Sequence, residues 1–146
     1  MLRWIRWLMA TMTIVLSVGC GGGGGGPSDT TPPSITDVQI NPSSLIEPGR
    51  QVTVQAKVTD EGSGVQSVSV LVNYPDGTEK IETMSAPAGS NTFSVSFVAQ
   101  WNAGEVGTDS TQWVVIKVQA KDWAGNQAES SESRIRAAAS PPLPPF

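Results

Sequence analysis

Residues 52–59 read VTVQAKVT, so an apolar side chain stands at every second position with a polar one between. A period of two places the apolar side chains on one face of an extended strand, whereas an amphipathic helix needs a period near 3.6. The same alternation recurs at 68–72, 93–97 and 114–121. These runs predict four half-buried β-strands, and no window of the sequence predicts an amphipathic helix.

Glycine and proline mark the ends of these runs. Residues 74–77 read YPDG, in which proline fixes one backbone angle and glycine accepts a positive φ, a combination typical of a tight reversal. Further turns are predicted at 47–50, 61–64, 87–90 and 123–126.

Three weaker runs, at 35–40, 79–84 and 127–135, bring the predicted strands to about seven. Seven short strands with regular turns between them predict an all-β sandwich of two sheets. The last run is rich in Glu, Ser and Arg. Because charges on an edge strand discourage pairing with other chains, we expect this run at the edge of a sheet.

Two motifs resemble a known class of domain. Residues 59–65 (TDEGSGV) and 120–126 (AKDWAGN) look like the paired motifs of bacterial immunoglobulin-like and fibronectin type III-like domains, in this order and at this spacing. The resemblance covers nearly all of residues 34–137. It implies a sandwich of the immunoglobulin-like type without a disulfide.

The N-terminus has the layout of a secretory signal. Arg3 and Arg6 precede an apolar stretch at 8–18, and no acidic residue occurs before Asp29. The apolar stretch is about eleven residues long, well short of the roughly 20 that a membrane-spanning helix needs. We therefore expect residues 1–19 to be a cleaved signal peptide.

The end of this signal, LSVGC at 16–20, resembles the lipobox of bacterial lipoproteins. The resemblance implies that the Cys20 thiol carries diacylglycerol, that the signal is cleaved before Cys20 and that the new amino group is often acylated too. Cys20 is the only cysteine, and an odd cysteine in an exported chain needs an explanation that lipidation supplies. The alternative is an ordinary signal peptide that leaves a free thiol.

Six glycines at 21–26 follow Cys20, and prolines at 27, 32 and 33 come next. Glycine loses the most backbone freedom on ordering, so this composition predicts a flexible spacer. The predicted organisation is a signal peptide (1–19), a lipidated cysteine with its Gly/Pro-rich tether (20–33), the sandwich (34–137) and a proline-rich disordered tail (138–146). Gly21 lies where enteric lipoproteins that stay in the inner membrane carry Asp. We therefore expect the protein to be anchored in the bacterial cell envelope, at the outer membrane. It could lie on either the periplasmic or the outer face of that membrane.

Composition narrows the classes of function. Without residues 1–19 the chain keeps seven basic and thirteen acidic residues, a formal net charge of −6, whereas nucleic acid favours a basic face. The chain has no histidine, which excludes histidine-assisted triads and histidine-ligated zinc sites. We therefore expect that the protein is not an enzyme, that it has no cofactor and that it does not bind nucleic acid.

The turns at 60–64 and 122–126 fall at the same end of the predicted sandwich. There they bring Asp60, Glu61, Asp122 and the carbonyl of Asn126 towards one another. Hard oxygen ligands of this kind suit calcium, which takes six to eight of them. The alternative, which the sequence favours, is that Asp and Asn accept hydrogen bonds from the backbone of their own turns.

Three tryptophans follow the signal peptide: Trp101, Trp113 and Trp123. The alternation predicts that Trp113 points away from the core, and Trp123 lies in a turn. Either could stack on a sugar or anchor a protein, or it could cover an edge of the sandwich, as we expect of Trp101.

Together these features predict a membrane-anchored lipoprotein that presents a non-enzymatic binding or structural module at the cell envelope. Two alternatives stay open. One is a carbohydrate-binding module for a wall or surface glycan, and the other is an accessory subunit of a larger envelope complex.

Overall fold

The computed structural model describes residues 28–102 and 112–138. The alternating residues 52–59 lie in the middle strand of one of its two sheets. The predicted signal peptide, Cys20 and nearly all of the proline-rich tail lie outside the described residues. The described part contains nine strands: β1 (Ser34–Asn41), β2 (Leu45–Ile46), β3 (Gln51–Thr59), β4 (Val65–Asn73), β5 (Glu79–Met84), β6 (Thr92–Val98), β7 (Trp113–Asp122), β8 (Gln127–Glu129) and β9 (Ser133–Ala137).

Two sheets pack face to face, as the sequence predicts. The smaller sheet has the order β1-β3-β6, and the larger has the order β2-β9-β7-β4-β5 with β8 also paired to β7. Neighbouring strands are antiparallel except β2 and β9, which are parallel. Within the described ranges the chain is therefore an all-β sandwich without a disulfide, consistent with the immunoglobulin-like type.

The end of the domain differs from the sequence prediction. The single closing strand expected at 127–135 is two strands, because Ser130 interrupts it: its hydroxyl accepts a hydrogen bond from the Val118 N–H at 3.0 Å, while its own N–H donates to the Val118 carbonyl at 2.8 Å. The expected edge position is confirmed for β8, which pairs only with β7, and is wrong for β9, which lies between β7 and β2. With the two-residue β2, this division raises the count from about seven strands to nine.

The core consists of the apolar positions of the alternating runs. Val54 of β3, Val70 of β4 and Val118 of β7 are each completely buried. Fully burying a side chain of this kind stabilises a fold by about 1.5–3 kcal/mol. The inward residues of the three longest strands form the centre of this core: Val52, Val54, Ala56, Val58, Val68, Val70, Val72, Val114, Ile116, Val118 and Ala120.

One tryptophan belongs to this core. Trp101 is only 9% exposed and stacks on Tyr74 with ring centroids 5.7 Å apart. It therefore does more than cover an edge. Both rings lie at the end of the sandwich that carries the YPDG turn, where Gly77 has a positive φ of 81° and its N–H donates to the Tyr74 carbonyl at 3.0 Å.

The outward-facing side chains of the larger sheet include both polar and apolar residues. Ile81, on β5, is 61% exposed, and Trp113, paired with Arg136, is 42% exposed. Trp113 thus faces away from the core, as predicted. Within residues 28–102 and 112–138, no helix has the length and apolar character to cross a membrane.

Two isoleucines test the assignment of inner and outer faces. Ile116→Ala should lower the free energy of unfolding by about 2–5 kcal/mol, because it leaves a cavity in the centre of the core. Ile81→Ala removes the same atoms from a side chain that is 61% exposed, so its effect should be small. Urea unfolding measures both variants, and equal losses would contradict the face assignment.

Candidate functional site

The two predicted motif turns meet at one end of the sandwich. The first residue of β4, Val65, pairs with the last residue of β7, Asp122, so the turn before β4 lies beside the turn after β7. Two hydrogen bonds join the turns: the Trp123 N–H donates to the Gly64 carbonyl at 3.1 Å, and the Ala124 N–H donates to the Ser63 hydroxyl at 3.0 Å. Strand register therefore fixes how the two motifs face each other.

Three carboxylates converge at this end, which we call the acidic end. Asp29, Asp60 and Asp122 each contribute an oxygen, and these oxygens all lie within 4.8 Å of one another. Two of the three carboxylates belong to the motif turns. The third comes from the segment that precedes β1, so the site joins parts of the chain almost a hundred residues apart.

Asp122 supplies a completely buried carboxylate. Its Oδ1 accepts the Asn126 N–H at 2.8 Å, and its Oδ2 accepts the Asn126 side-chain amide at 2.7 Å. A buried carboxylate without such bonds is costly, because it has lost its hydration. The Gly125 backbone between them has φ 98°, a conformation that suits glycine, and it lets the turn close on the Asp122 side chain.

Asp60 is satisfied on one side only. Its Oδ2 accepts the N–H groups of Gly62 at 3.2 Å and Gly64 at 2.6 Å, which closes the turn before β4. Its Oδ1 is closed to solvent and accepts no hydrogen bond in the described structure. An unpartnered buried oxygen is uncommon in folded proteins and calls for a physical explanation.

Asp29 is held by its own carboxylate and by its backbone. Oδ1 accepts the Thr31 N–H at 2.9 Å and Oδ2 accepts the Ser63 N–H at 2.8 Å. These bonds stabilise the ionised form, and the bond from Thr31 is the largest cause that lowers the pKa of Asp29 from its ordinary value. The Asn126 side-chain amide donates to the Asp29 carbonyl at 3.1 Å.

Gly62 makes room for the Asp29 carboxylate. A Cβ placed on Gly62 would collide with the carboxyl group of Asp29. The absence of a side chain at this position therefore allows the close approach of the segment before β1 to the turn.

The three carboxylates form no ion pair with a Lys or Arg of the described residues. Among the described residues, the ion pairs join Lys80 with Glu82, Lys117 with Glu129 and Glu132, and Arg134 with Glu132, and none includes a carboxylate of the acidic end. Like charges at such short range repel one another, more strongly where water is excluded.

The structure brings only some of the four predicted calcium ligands together. Asp60 and Asp122 come together as expected, whereas Glu61 is exposed and its carboxylate is not in the group. Asn126 is present through its amide and not through its carbonyl, because that carbonyl accepts the Asp122 N–H at 3.1 Å. Its Nδ2 donates to the Asp122 carboxylate and to the backbone carbonyls of Asp29 and Thr31.

Asp29 is the residue that the sequence argument missed. The composition of 20–33 predicts a tether, and a tether carries no expectation of contact with a particular turn. The signal was present in principle, because Asp29 is the first acidic residue of the chain and stands only five positions before β1.

The tryptophan candidates lie apart from each other. Trp123 is 67% exposed at the acidic end, where its backbone N–H donates to the Gly64 carbonyl. Trp113 lies on the outer face of the larger sheet. They do not form one surface, so a ligand that used both would have to be large.

A scan against protein-family models and a search of the curated proteins found no match to this chain. The two resemblances described above therefore rest on their motifs alone.

A substitution of Asn126 tests whether its side-chain amide stabilises the buried carboxylate of Asp122. Asn126→Ala removes the amide that bonds Oδ2 of the buried Asp122, so we expect a loss of about 1–3 kcal/mol in the free energy of unfolding. Asn91→Ala is the matched control, since Asn91 is exposed and its described hydrogen bond uses only the backbone carbonyl. Urea unfolding compares the two, and an Asn126→Ala variant as stable as the control would contradict the role assigned to the amide.

Proposed function

We propose that this chain is a lipid-anchored protein of the bacterial envelope, in which a β-sandwich serves as a non-enzymatic binding or structural module. The observation that supports the proposal best is the attachment of residues 29–31 to the acidic end. Ser63 and Asn126 hold this segment by hydrogen bonds to both its side chain and its backbone. The membrane anchor would thus be joined to the sandwich at a defined end.

The opposite end is then the one directed away from the anchor. It is formed by Pro48-Gly49, the turn at 76–78 and residues 100–102, which line an open cavity of about 610 Å³. Asp76 ties two of these segments together: its carboxylate accepts the Thr78 hydroxyl at 2.6 Å and the Asn102 N–H at 2.9 Å. These bonds, that of the Thr78 hydroxyl first, lower the pKa of Asp76. A fixed polar concavity at this end suits contact with a partner across the envelope.

The anchor itself has a direct test. Cells that express the protein and are fed labelled palmitate should incorporate the label into the wild-type chain and not into Cys20→Ala. The wild-type protein should sediment with membranes and partition into detergent. Equal labelling of both chains, or release of the wild-type chain without detergent, would refute the lipoprotein assignment.

Carbohydrate binding is the second candidate, because 67% of Trp123 and 42% of Trp113 are exposed. Exposed indole rings stack on sugars and also anchor protein partners. Wall and surface glycans should change the tryptophan emission of the protein and leave that of Trp123→Ala or Trp113→Ala unchanged. The buried Trp101 stays in every variant as an internal reference. Unaltered emission across a broad panel of glycans would count against this candidate.

An accessory subunit of a larger envelope complex is the third reading. It predicts that one protein partner co-purifies in stoichiometric amount from detergent-solubilised membranes, whereas a glycan-binding module would be recovered alone.

A further inference from the structure

The outer face of the larger sheet carries a continuous row of apolar side chains. Leu71 of β4 pairs directly with Ile81 of β5, while Trp113 and Val115 stand two residues apart on β7 and so share this face. Val115 pairs with Asn73, which places it diagonally beside Leu71, within reach of large side chains. These four apolar residues form one diagonal row across three strands, which we call the outer stripe.

The outer stripe is exposed at both ends. Ile81 is 61% exposed and Trp113 is 42% exposed, whereas the two residues between them are half-buried. Leu45, 44% exposed, extends the stripe beyond Trp113, because these two residues flank Arg136 in one row of the sheet. Single exposed apolar residues are ordinary on a protein surface, but a contiguous row of them marks a contact surface.

The C-terminal segment leaves the sandwich beside this stripe. The Ala137 N–H donates to the Gln112 carbonyl at 2.9 Å, and Gln112 directly precedes Trp113. Ala138 is the last residue that the structure describes, so residues 139–146 continue the chain from a point next to the exposed indole ring.

The composition of this segment suits the stripe. Residues 139–146 read ASPPLPPF, with four prolines, one leucine, one phenylalanine and no charged side chain. Because proline has no N–H, such a segment cannot add a regular strand to the sheet and makes its contacts through side chains. In the polyproline II conformation, proline-rich segments dock on surfaces lined by aromatic rings, since the extended helix is preformed and loses little entropy on binding.

The length of the segment matches as well. Ile81 lies in the same row of the sheet as Lys117, which is four residues along β7 from Trp113 and two strand spacings across. The stripe is therefore roughly 16 Å long from Trp113 to Ile81, from about 13 Å along the strands and about 10 Å across them. Residues 141–146 in polyproline II span roughly 19 Å. The residues before them are left to turn the chain back over the face.

We propose that residues 141–146 fold back over the larger sheet and pack on the outer stripe of the same chain, with proline rings against the Trp113 indole. Both partners then bury apolar surface, and no charge of the segment has to be desolvated. Because the segment starts beside the stripe, its effective concentration there is on the order of mM, which favours this contact over one with a second copy.

The contact bears on the candidate functions without depending on the lipid anchor. It covers Trp113, one of the two tryptophans considered for glycans, and leaves Trp123 at the acidic end uncovered. A glycan or protein that uses the outer stripe must first displace the C-terminal segment.

Fluorine NMR of the mature protein in lipid nanodiscs tests the contact. With 5-fluorotryptophan incorporated, Trp101, Trp113 and Trp123 each give a signal, which Trp113→Phe and Trp123→Phe assign. Removal of residues 141–146 should move the Trp113 signal and at least double its solvent isotope shift between H₂O and D₂O, while the other two signals stay unchanged. Identical Trp113 signals in the full and shortened chains would overturn the contact.

A substitution at the far end of the stripe separates docking from mere proximity. Ile81→Ser lies roughly 16 Å from Trp113, so it should move the Trp113 signal only through the docked segment. We expect at least a third of the effect of shortening in the full chain and none in the shortened chain. Thr83→Ala, an exposed outward position on the same strand, is the control and should leave the signal in place. No effect of Ile81→Ser, or an equal effect in both chains, would refute docking along the stripe.

Dilution distinguishes this contact from one between two copies. With one protein per nanodisc, the Trp113 signal should stay constant over a tenfold dilution. A signal that moves towards that of the shortened chain would assign the segment to a second copy and overturn the contact within one chain. A chain without lipid is measured in the same way in free solution, so failed palmitate labelling leaves this test intact.

Discussion

The contact between the inner faces of the two sheets is the constraint on which the rest of this molecule depends. The buried apolar residues of β3, β4 and β7 alternate along each strand and meet there, and no histidine, disulfide or described helix adds to this contact. Because the side chains of a strand alternate between faces, this contact also fixes which residues point outward. It places the ends of the strands, and so the turns, in register with one another.

The register of β4 against β7 determines the arrangement of the acidic end. Val65 pairs with Asp122, and a slip of one residue would turn Asp122 outward and separate the two motif turns. With the observed pairing, Asp122 is completely buried and needs the Asn126 amide, while Asp60 closes the neighbouring turn. The same amide donates to the backbone carbonyls of Asp29 and Thr31, so one side chain links the buried carboxylate with the segment before β1.

Much of the fold could be predicted. The long strands β3, β4 and β7 follow from their alternation, and β5 lies at the predicted bounds of 79–84. The prediction of a single closing strand at 127–135 was wrong, because the alternation of apolar and polar residues is weak there. The polar run at 127–135 shows no break in composition at Ser130, yet that hydroxyl bonds to Val118 of another strand and divides the run. The position of β9 beside β2 depends on a parallel pair of two residues, which has no signal in the sequence.

For the candidate site, the sequence by itself determined that Asp60 and Asp122 begin neighbouring turns, because motif order and strand count place those turns at one end. It also determined that catalytic histidine is absent and that Cys20 is the only cysteine. Only the tertiary structure decided that Glu61 lies outside the group, that Asn126 acts through its amide, and that Asp29 joins from the segment before β1. The physical reason is that a carboxylate's partners are set by three-dimensional approach, here allowed by the missing side chain of Gly62. Periodicity along the chain reports which face a residue occupies, and carries no information on which distant segment comes to meet it.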